Sequence, residues 1–478
     1  MRQRLIMAVV CMAILLDAMD LSITQVALPS IRADLHVSPG VLPWVANAYV
    51  LTYGGLLLLG GRVCDLVGRR PAFLTGLILY AAGSLGSGLA TDPAFLISCR
   101  AGQALGATLT MPAAVAILAG TFAQGPERDK AMGVFAAFGA SGFSIGLILG
   151  GVLTGSLGWQ WIFLIKVPVV ALVLVAALIV VPRARKDENG HRGTENGPAS
   201  TGDGRRSYDV TGAIAGTGGA LLVAFAVTEA AAIHRSILLI SVAAAAGLIA
   251  LAVFVLRERA ARDPLLHLSL FRNRTVRAGD LASLTVLAAP FGFAFLTTAY
   301  LQSVAGYSPE RTGLALLPSA VVSALVSRYG APLALGRIGL RASGVASLAV
   351  VAVGFALLAL ISVTPSYLAV VLPSSLVSLG IGVGIAYPAF TTAGVTDVPG
   401  NRQGVAAGVQ NAALQIGGGL GFAVVSAVVG SISGRPASDL VSSLRHGALA
   451  GCALPLAGAI LALALPRRSG RDNGHNDE

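Results

Sequence analysis

The chain has 478 residues, of which 55% are hydrophobic and only 12% are charged. A soluble protein needs far more polar residues to cover its surface, so the composition excludes a soluble enzyme or binding domain and predicts a chain that lives in lipid. The net charge of +11 does not indicate nucleic-acid binding, because the basic residues fall in short loops between apolar runs, where they orient a membrane protein.

The first apolar run follows Arg2 and Arg4 and begins like a secretion signal. Asp17 and Asp20 interrupt this run, and it continues to Leu28 without a convincing cleavage site. We therefore predict a first transmembrane helix over 5–28.

Apolar runs of about 20 residues, long enough to cross the ~30 Å hydrocarbon core, recur along nearly the whole chain. The further predicted spans are 42–63, 71–90, 94–120, 131–155, 162–182, 209–230, 236–256, 278–301, 311–329, 342–361, 366–394, 405–430 and 446–466. Most of the 33 Lys and Arg residues fall in alternate loops. This asymmetry supports an even number of helices with both termini in the cytoplasm, which agrees with the fourteen predicted spans.

Residues 183–208 are polar and charged, and we predict that they form a flexible cytoplasmic linker. The predicted fold is an all-α integral membrane protein. An N-terminal six-helix bundle (1–182) precedes the linker, and an inserted two-helix hairpin (209–256) follows it. A C-terminal six-helix bundle (257–466) and a cytoplasmic tail (467–478) complete the predicted plan.

A weak internal repeat supports two equivalent bundles. Gly68 and Arg70, after the second predicted helix, match Gly339 and Arg341, after the tenth. The fifth and thirteenth helices share a Gly-x-x-x-Gly pattern, at Gly142 and Gly146 and at Gly417 and Gly421. Each match alone is weak, because small residues are common in packed membrane helices, but together they indicate a duplicated six-helix unit.

Asp17 and Asp20 lie three residues apart, hence on one face of the first helix and near the middle of the membrane. Burial and mutual repulsion favour protonation of at least one of them, which makes them candidates for proton coupling. The alternative is a structural pair of acids neutralised by Arg100. We favour the coupling role, because one cation does not neutralise two acids and acids inside a membrane are costly to keep.

Arg100 is a permanent cation in the fourth predicted helix, with Gln103 one turn away. It either holds Asp20 charged in one conformation and releases it in another, which we favour, or extends to the interface. Lys166 lies close to the outer end of the sixth helix, and we predict that it snorkels to the interface. Glu229 ends the seventh helix, where we predict a carboxylate at the outer rim.

Chemistry that needs a metal or a cofactor is not indicated. The six histidines fall in loops, at span ends or in the tail without metal-ligand spacing, and the four cysteines are scattered. No Gly-x-Ser-x-Gly elbow occurs in a strand-turn-helix setting, so the chain is not expected to be an enzyme. We predict that Trp44, Trp159 and Trp161 are interfacial anchors.

Four segments resemble the motifs of one family. Asp20–Pro29 resembles its first-helix motif, Gly61–Arg70 its cytoplasmic loop motif, Arg100–Gly106 its fourth-helix motif and Gly158–Pro168 its most specific motif. With these residues the chain resembles, over 5–466, the fourteen-helix drug:proton antiporter family of the major facilitator superfamily. Lys166 stands where that family usually has Asn.

The resemblance implies the major facilitator fold, alternating access by two rocking six-helix halves, and a conformational gate. The residues of the gate are Gly61, Asp65, Gly68, Arg69 and Arg70, in which the acid and the arginines form a breakable charge lock. The fifth-helix motif that packs the helices retains Gly146, Gly150 and Gly151, but Leu147 stands where the family has proline. A helix without that proline should kink less, which leaves the direction of coupling open.

The sequence therefore predicts a transporter that exports amphipathic small molecules, such as antibiotics, in exchange for protons. We expect Asp20, with Asp17 as its helper and Arg100 as its partner, to couple the proton. The polar side chains expected to face the substrate cavity are Ser22, Gln25, Gln103, Asn411 and Gln415. We expect a functional monomer that binds no nucleic acid. The alternatives are an importer or uniporter of a small metabolite, which Leu147 favours, and a non-transporting membrane sensor.

Overall fold

The computed structural model describes residues 2–38, 41–122, 126–182, 210–230, 237–260, 273–364, 366–396, 398, 403–430 and 436–465. These residues form helices joined by short turns and loops, and there is no β-strand among them. The predicted linker 183–208 and the predicted tail 467–478 lie outside the described residues.

Eight helices belong to the first of two compact units. They are α1 (Arg2–Asp34), α2 (Leu42–Val67), α3 (Arg69–Gly88), α4 (Pro93–Thr121), α5 (Pro126–Ser156), α6 (Trp161–Val180), α7 (Val210–Ala230) and α8 (Ile237–Ala260). Within α6, a short turn over Trp161–Leu164 leads into the main helix over Lys166–Val180. The α5 helix is continuous over 31 residues, although it lacks the proline of the resembling family.

The remaining six helices belong to the second unit, apart from the start of α10. They are α9 (Arg274–Ser303), α10 (Pro309–Leu325), α11 (Ala331–Leu358), α12 (Tyr367–Gly394), α13 (Gln403–Val429) and α14 (Ala437–Ala462). The first turn of α10 groups with the first unit instead. A core of buried alanine, valine, leucine and phenylalanine side chains joins α9, α11, α12, α13 and α14, with Phe390 fully buried within it.

Side-chain caps fix where two of the longest helices begin. The Asp92 carboxylate accepts the backbone N–H of Phe95 at 2.9 Å, directly before Pro93. The Asn273 side chain accepts the backbone N–H of Thr275 at 2.8 Å. Both caps satisfy backbone donors that have no partner inside the helix, and a proline after the cap removes one of those donors altogether.

Two glycines with positive φ interrupt the helices at matching places. Gly68 has φ 93° and ψ 151° between α2 and α3, and Gly339 has φ 80° and ψ 172° at a kink inside α11. A residue that carries a Cβ atom is strained in this conformation, whereas glycine adopts it readily. Both units therefore use the glycine of the Gly-x-Arg repeat for the same backbone geometry.

The sequence predicts two helices, over 311–329 and 342–361, that are joined by a loop. The predicted loop is wrong. Helical structure extends over 309–358, with a π-helical turn at Val326–Gly330 and one non-helical residue at Gly339. The sequence suggested a longer connection because arginines punctuate this stretch. A single glycine with positive φ is sufficient for the kink, so the flanking residues stay in their helices.

Glycines bring α1 and α5 into backbone contact. A Cβ atom at Gly142 would lie 2.6 Å from the carbonyl oxygen of Leu15, and one at Gly150 would lie 2.7 Å from that of Ile23. A Cβ atom at Gly146, which lies between these two glycines, would be 2.5 Å from the carbonyl oxygen of Met19. Small residues at this spacing allow two membrane helices to approach closely.

The second unit repeats this contact. Cβ atoms at Gly417 and Gly421 of α13 would collide with the backbone carbonyl groups of Leu284 and Ala288 in α9. The first and fifth helices of each six-helix unit therefore pack through the same Gly-x-x-x-Gly pattern. This packing agrees with a duplicated unit.

The hairpin formed by α7 and α8 also closes through glycines. A Cβ atom at Gly219 would lie 2.9 Å from the carbonyl oxygen of Gly247. The Phe225 ring of α7 packs against the Trp44 ring of α2 with 5.4 Å between ring centroids. The hairpin thus contacts the rest of the first unit through α2.

Nine stretches of the described residues are long and apolar enough to cross a membrane, one of them being the 50-residue stretch Pro309–Leu358 that contains the Gly339 kink. The helices α2, α3, α5 and α7 are not among these nine. The chain is therefore a multi-pass membrane protein by length and composition, and the total of fourteen spans stays a prediction.

The substitution Gly146→Ala tests the contact between α1 and α5. The added methyl group collides with the Ser22 hydroxyl and the Met19 carbonyl, so we expect a loss of about 1–3 kcal/mol of stability. The matched control is Gly133→Ala in the same helix, where nothing lies within 4 Å of the added Cβ. Thermal unfolding of both purified variants in detergent measures the difference, and equal melting temperatures would contradict the packing described here.

Candidate functional site

The centre of the first unit holds a carboxylate with two cations. Asp20 of α1 is fully buried and forms ion pairs with Arg100 of α4 and Lys166 of α6, both equally buried. The Gln103 side chain donates a further hydrogen bond to Asp20 at 2.9 Å. Arg100 also donates to the Gln103 side-chain oxygen at 2.8 Å and to the Val45 carbonyl at 3.2 Å. We call Asp20, Arg100, Gln103 and Lys166 the charge cluster.

Aromatic rings surround the two cations of the charge cluster. The Arg100 guanidinium lies 4.5 Å from the Tyr49 ring centroid and 5.4 Å from that of Phe163. The Lys166 ammonium lies 4.9 Å from the Phe163 centroid and 5.9 Å from that of Tyr80. Ring faces attract cations, and these contacts strengthen when water is excluded. The rings therefore offset part of the cost of burying two positive charges.

Asp17 lies one helical turn before Asp20 in a different environment. It is only partly buried, and it accepts hydrogen bonds from the hydroxyl groups of Tyr49 and Tyr53. Tyr53 lies beside Tyr49, with ring centroids 6.0 Å apart. The two acids thus share a helix face, but cations contact only Asp20 directly.

A small cavity adjoins Asp17 and extends away from Asp20. Its volume is about 20 Å³, room for about one water molecule. Its lining comes from α1, α3, α4 and α6 and consists of Ala13, Ile14, Leu16, Asp17, Leu77, Tyr80, Ala107, Thr110, Met111, Ala114 and Val170. A volume this small cannot hold a drug-sized molecule.

At one end of the first unit, basic side chains bind the carboxyl ends of helices. Arg70 donates to the Leu178 carbonyl at 2.7 Å, and Arg2 donates to the Val180 carbonyl at 3.2 Å, both at the end of α6. Arg69 reaches the Ala116 carbonyl in α4 at 3.5 Å. Cations are favourable at this end of a helix because the carbonyl groups there carry partial negative charge.

The family model described as the Major Facilitator Superfamily matches residues 10–422 of the chain. The chain belongs to the major facilitator superfamily. A cephamycin export protein of Amycolatopsis lactamdurans is 37% identical over 460 residues, covering 95% of this chain and 91% of that protein. A puromycin resistance protein of Streptomyces alboniger is 36% identical, covering 88% of this chain and 81% of that protein.

A solved transporter structure supports the fold independently. A bacterial homologue of the human lysosomal transporter Spinster matches 97% of this chain and 96% of its own, with a TM-score of 0.64 and 15% identity. At this identity the match shows the fold alone. The prediction of an all-α major facilitator fold is confirmed, and this superfamily member is a membrane transporter, not an enzyme.

The structure corrects the prediction for Lys166. The sequence placed this side chain near the end of the sixth helix, snorkelling to the interface, yet it is fully buried and paired with Asp20. The prediction was wrong because the depth at which α1 and α6 cross was unknown. At that depth the ion pair with the Asp20 carboxylate stabilises the positive charge of Lys166 more than extension of the side chain to the distant membrane interface would.

Glu229 also departs from its prediction. It is buried rather than exposed at a rim, and its carboxylate accepts the indole N–H of Trp44 at 2.8 Å. Trp159 similarly donates to the Asp34 carboxylate at 2.7 Å. Both indoles have specific partners within the protein beyond the interfacial role predicted for them.

The residues predicted for the substrate cavity divide between the two units. Gln103 belongs to the charge cluster, and the Ser22 hydroxyl donates to the Met19 carbonyl at 3.1 Å in the helix that carries Asp20. Gln25 is buried, and neither polar atom of its side chain has a hydrogen-bond partner among the described residues. Asn411 and Gln415 lie in α13 of the second unit. A shared cavity for all five stays a prediction.

The predicted gate is described only in part. Gly61 lies near the end of α2, and Gly68 forms the junction to α3. Arg69 and Arg70 bind the carbonyl groups named above, and the side chain of Asp65 lies outside the described part of the structure. The charge lock proposed for this loop therefore stays a prediction.

The sequence reasoning missed a buried acid in the second unit. Asp280 of α9 is 5% exposed, and neither carboxylate oxygen has a hydrogen-bond partner among the described residues. The sequence does place this acid inside the predicted span 278–301, but a position near the end of a span does not indicate whether the side chain is buried. Asn47 of α2, buried without a described partner, was missed as well.

The substitution Asp20→Asn tests the electrostatics of the charge cluster. It leaves Arg100 and Lys166 buried without their carboxylate, and we expect a loss of about 3–5 kcal/mol of stability. The double variant Asp20→Asn with Lys166→Met removes one uncompensated charge, so it should recover part of this loss. Thermal unfolding of both single variants and the double variant gives the coupling energy, and additive effects would contradict a direct ion pair.

Proposed function

We propose that this transporter exports amphipathic antibiotics in exchange for protons, working as a monomer in a bacterial plasma membrane with both termini in the cytoplasm. The charge cluster is the observation that carries the proton coupling. Its members lie on α1, α4 and α6, so protonation of an acid of α1 changes the charge balance that holds these three helices together. Acids and bases buried in a membrane are costly and typically mark proton pathways.

The relatives support the direction and the class of substrate. The names of the two antibiotic relatives above give export or resistance as their role, and a tetracenomycin C resistance and export protein of Streptomyces glaucescens is 31% identical over 434 residues. The compounds in these names differ widely in structure. A pathway built from apolar side chains with few polar groups accepts such diversity more readily than a highly specific site.

In the proposed cycle, the substrate and the proton alternate at the acids of α1, with Asp20, Asp17 and Arg100 as the coupling residues. Proton binding from outside releases the substrate, and proton release inside restores its affinity. Each proton that enters down a potential of about 100 mV supplies about 2.3 kcal/mol. This free energy drives export against a concentration gradient.

The decisive experiment measures proton movement in inside-out vesicles that carry the protein. After respiration has built a pH gradient, we add puromycin, a cephamycin or tetracenomycin C. We expect at least one compound to dissipate the gradient with the wild type but not in vesicles without the protein. Transport of a labelled compound with no proton movement would instead favour a uniporter.

Gly68 offers a test of the proposed gate. Its positive φ of 93° is unfavourable for any residue with a Cβ, by about 1–2 kcal/mol, so Gly68→Ala should slow the movement of α2 relative to α3. We expect reduced transport with substrate affinity retained. Gly102→Ala, where nothing lies within 4 Å of the added Cβ, is the control. Equal transport rates for both variants would exclude a role of this junction in gating.

A further inference from the structure

We propose that Asp17 is the carboxylate that exchanges the proton, and that Asp20 remains ionised throughout the cycle as the structural anchor of the charge cluster. This assignment rests on the proposed antiport. It gives separate roles to two acids that the sequence alone indicates only as a joint pair of coupling residues. The difference between their surroundings carries it.

Asp20 has little freedom to take up a proton. Arg100 binds one of its oxygens, and Lys166 and Gln103 both bind the other. A proton on Asp20 would displace a donor and leave two cations buried without an anion, an arrangement that costs several kcal/mol. Full burial also removes Asp20 from any water that could deliver the proton.

Asp17 meets the opposite conditions. Its direct hydrogen-bond donors are the neutral hydroxyl groups of Tyr49 and Tyr53. Either hydroxyl can turn to accept a hydrogen bond once the carboxyl group is protonated. The acid is partly exposed and lines the small cavity. A carboxylate oxygen of Asp17 can therefore take a proton from water and return it to water without breaking an ion pair.

The ionisable groups around Asp17 come from four helices. Tyr49 and Tyr53 face it from α2, Tyr80 from α3, Arg100 from α4 and Lys166 from α6. The neighbouring helix α5 meets α1 through glycines. With both acids ionised, their two negative charges balance the positive charges of Arg100 and Lys166. Because Asp20 stays ionised, the charge that varies in the cycle is the charge of Asp17.

The cavity gives the exchange a direction. Ala13 and Ile14, which line it, precede Asp17 in α1, and Met111 and Ala114 follow the charge cluster in α4. The cavity thus points from Asp17 toward the end of the unit that carries Arg2 and Arg70, the end we propose to be cytoplasmic. Protons released from Asp17 leave by this side.

The test compares two substitutions of Asp17 with the wild type in inside-out vesicles, using the compound that gives the largest proton movement with the wild type. Asp17→Asn should reduce that movement to the level of vesicles without the protein, while exchange of labelled for unlabelled compound at equal pH on both sides continues. Asp17→Glu should restore the movement. The control is Gly102→Ala, where nothing lies within 4 Å of the added Cβ, and it should retain the substrate-induced proton movement of the wild type.

Three outcomes separate the proposals. Proton movement by Asp17→Asn at the wild-type level would overturn the assignment to Asp17. Failure of exchange in Asp17→Asn would also overturn it, because a purely structural role predicts that result. Absence of proton movement with the wild type would reject the proposed antiport itself, and with it this assignment.

Discussion

Burial of one carboxylate between two cations is the constraint on which the first unit depends. Asp20, Arg100 and Lys166 come from three helices, and each would be costly inside a membrane without the others. Their pairing fixes how far α4 and α6 can slide along α1. The tyrosine and phenylalanine rings around the cations complete the enclosure and keep water out. The same enclosure leaves Asp17 as the acid with access to its surroundings.

Contacts from glycines of α5 position α1, the helix that carries both acids. Gly142, Gly146 and Gly150 place the backbone of α5 against that of α1. The second unit uses the same pattern between α13 and α9. A transporter built from two such units positions its first helices by backbone contact, while polar partners set the charge state of the groups on them.

Local patterns in the sequence predicted the helices, the glycine pairs and the pairing of Asp20 with Arg100, because apolar length, residue spacing and charges within apolar runs are all visible there. The partner of Lys166 was not visible. It depends on the depth at which two distant helices cross, and no local pattern encodes that depth. Asp280 was overlooked for a related reason, since a position near a predicted span end does not reveal whether a side chain is buried.

The charge cluster also constrains which substitutions this chain can accept. The family that the chain resembles usually has a neutral amide where this chain has Lys166, so the lysine adds a buried positive charge that a lone carboxylate at position 20 cannot balance beside Arg100. Asp17, one helical turn away, brings the count to two negative and two positive charges. A substitution that removes the charge of Asp17 or of Lys166 alone therefore leaves an unbalanced charge in the membrane interior, whereas the removal of both keeps the balance.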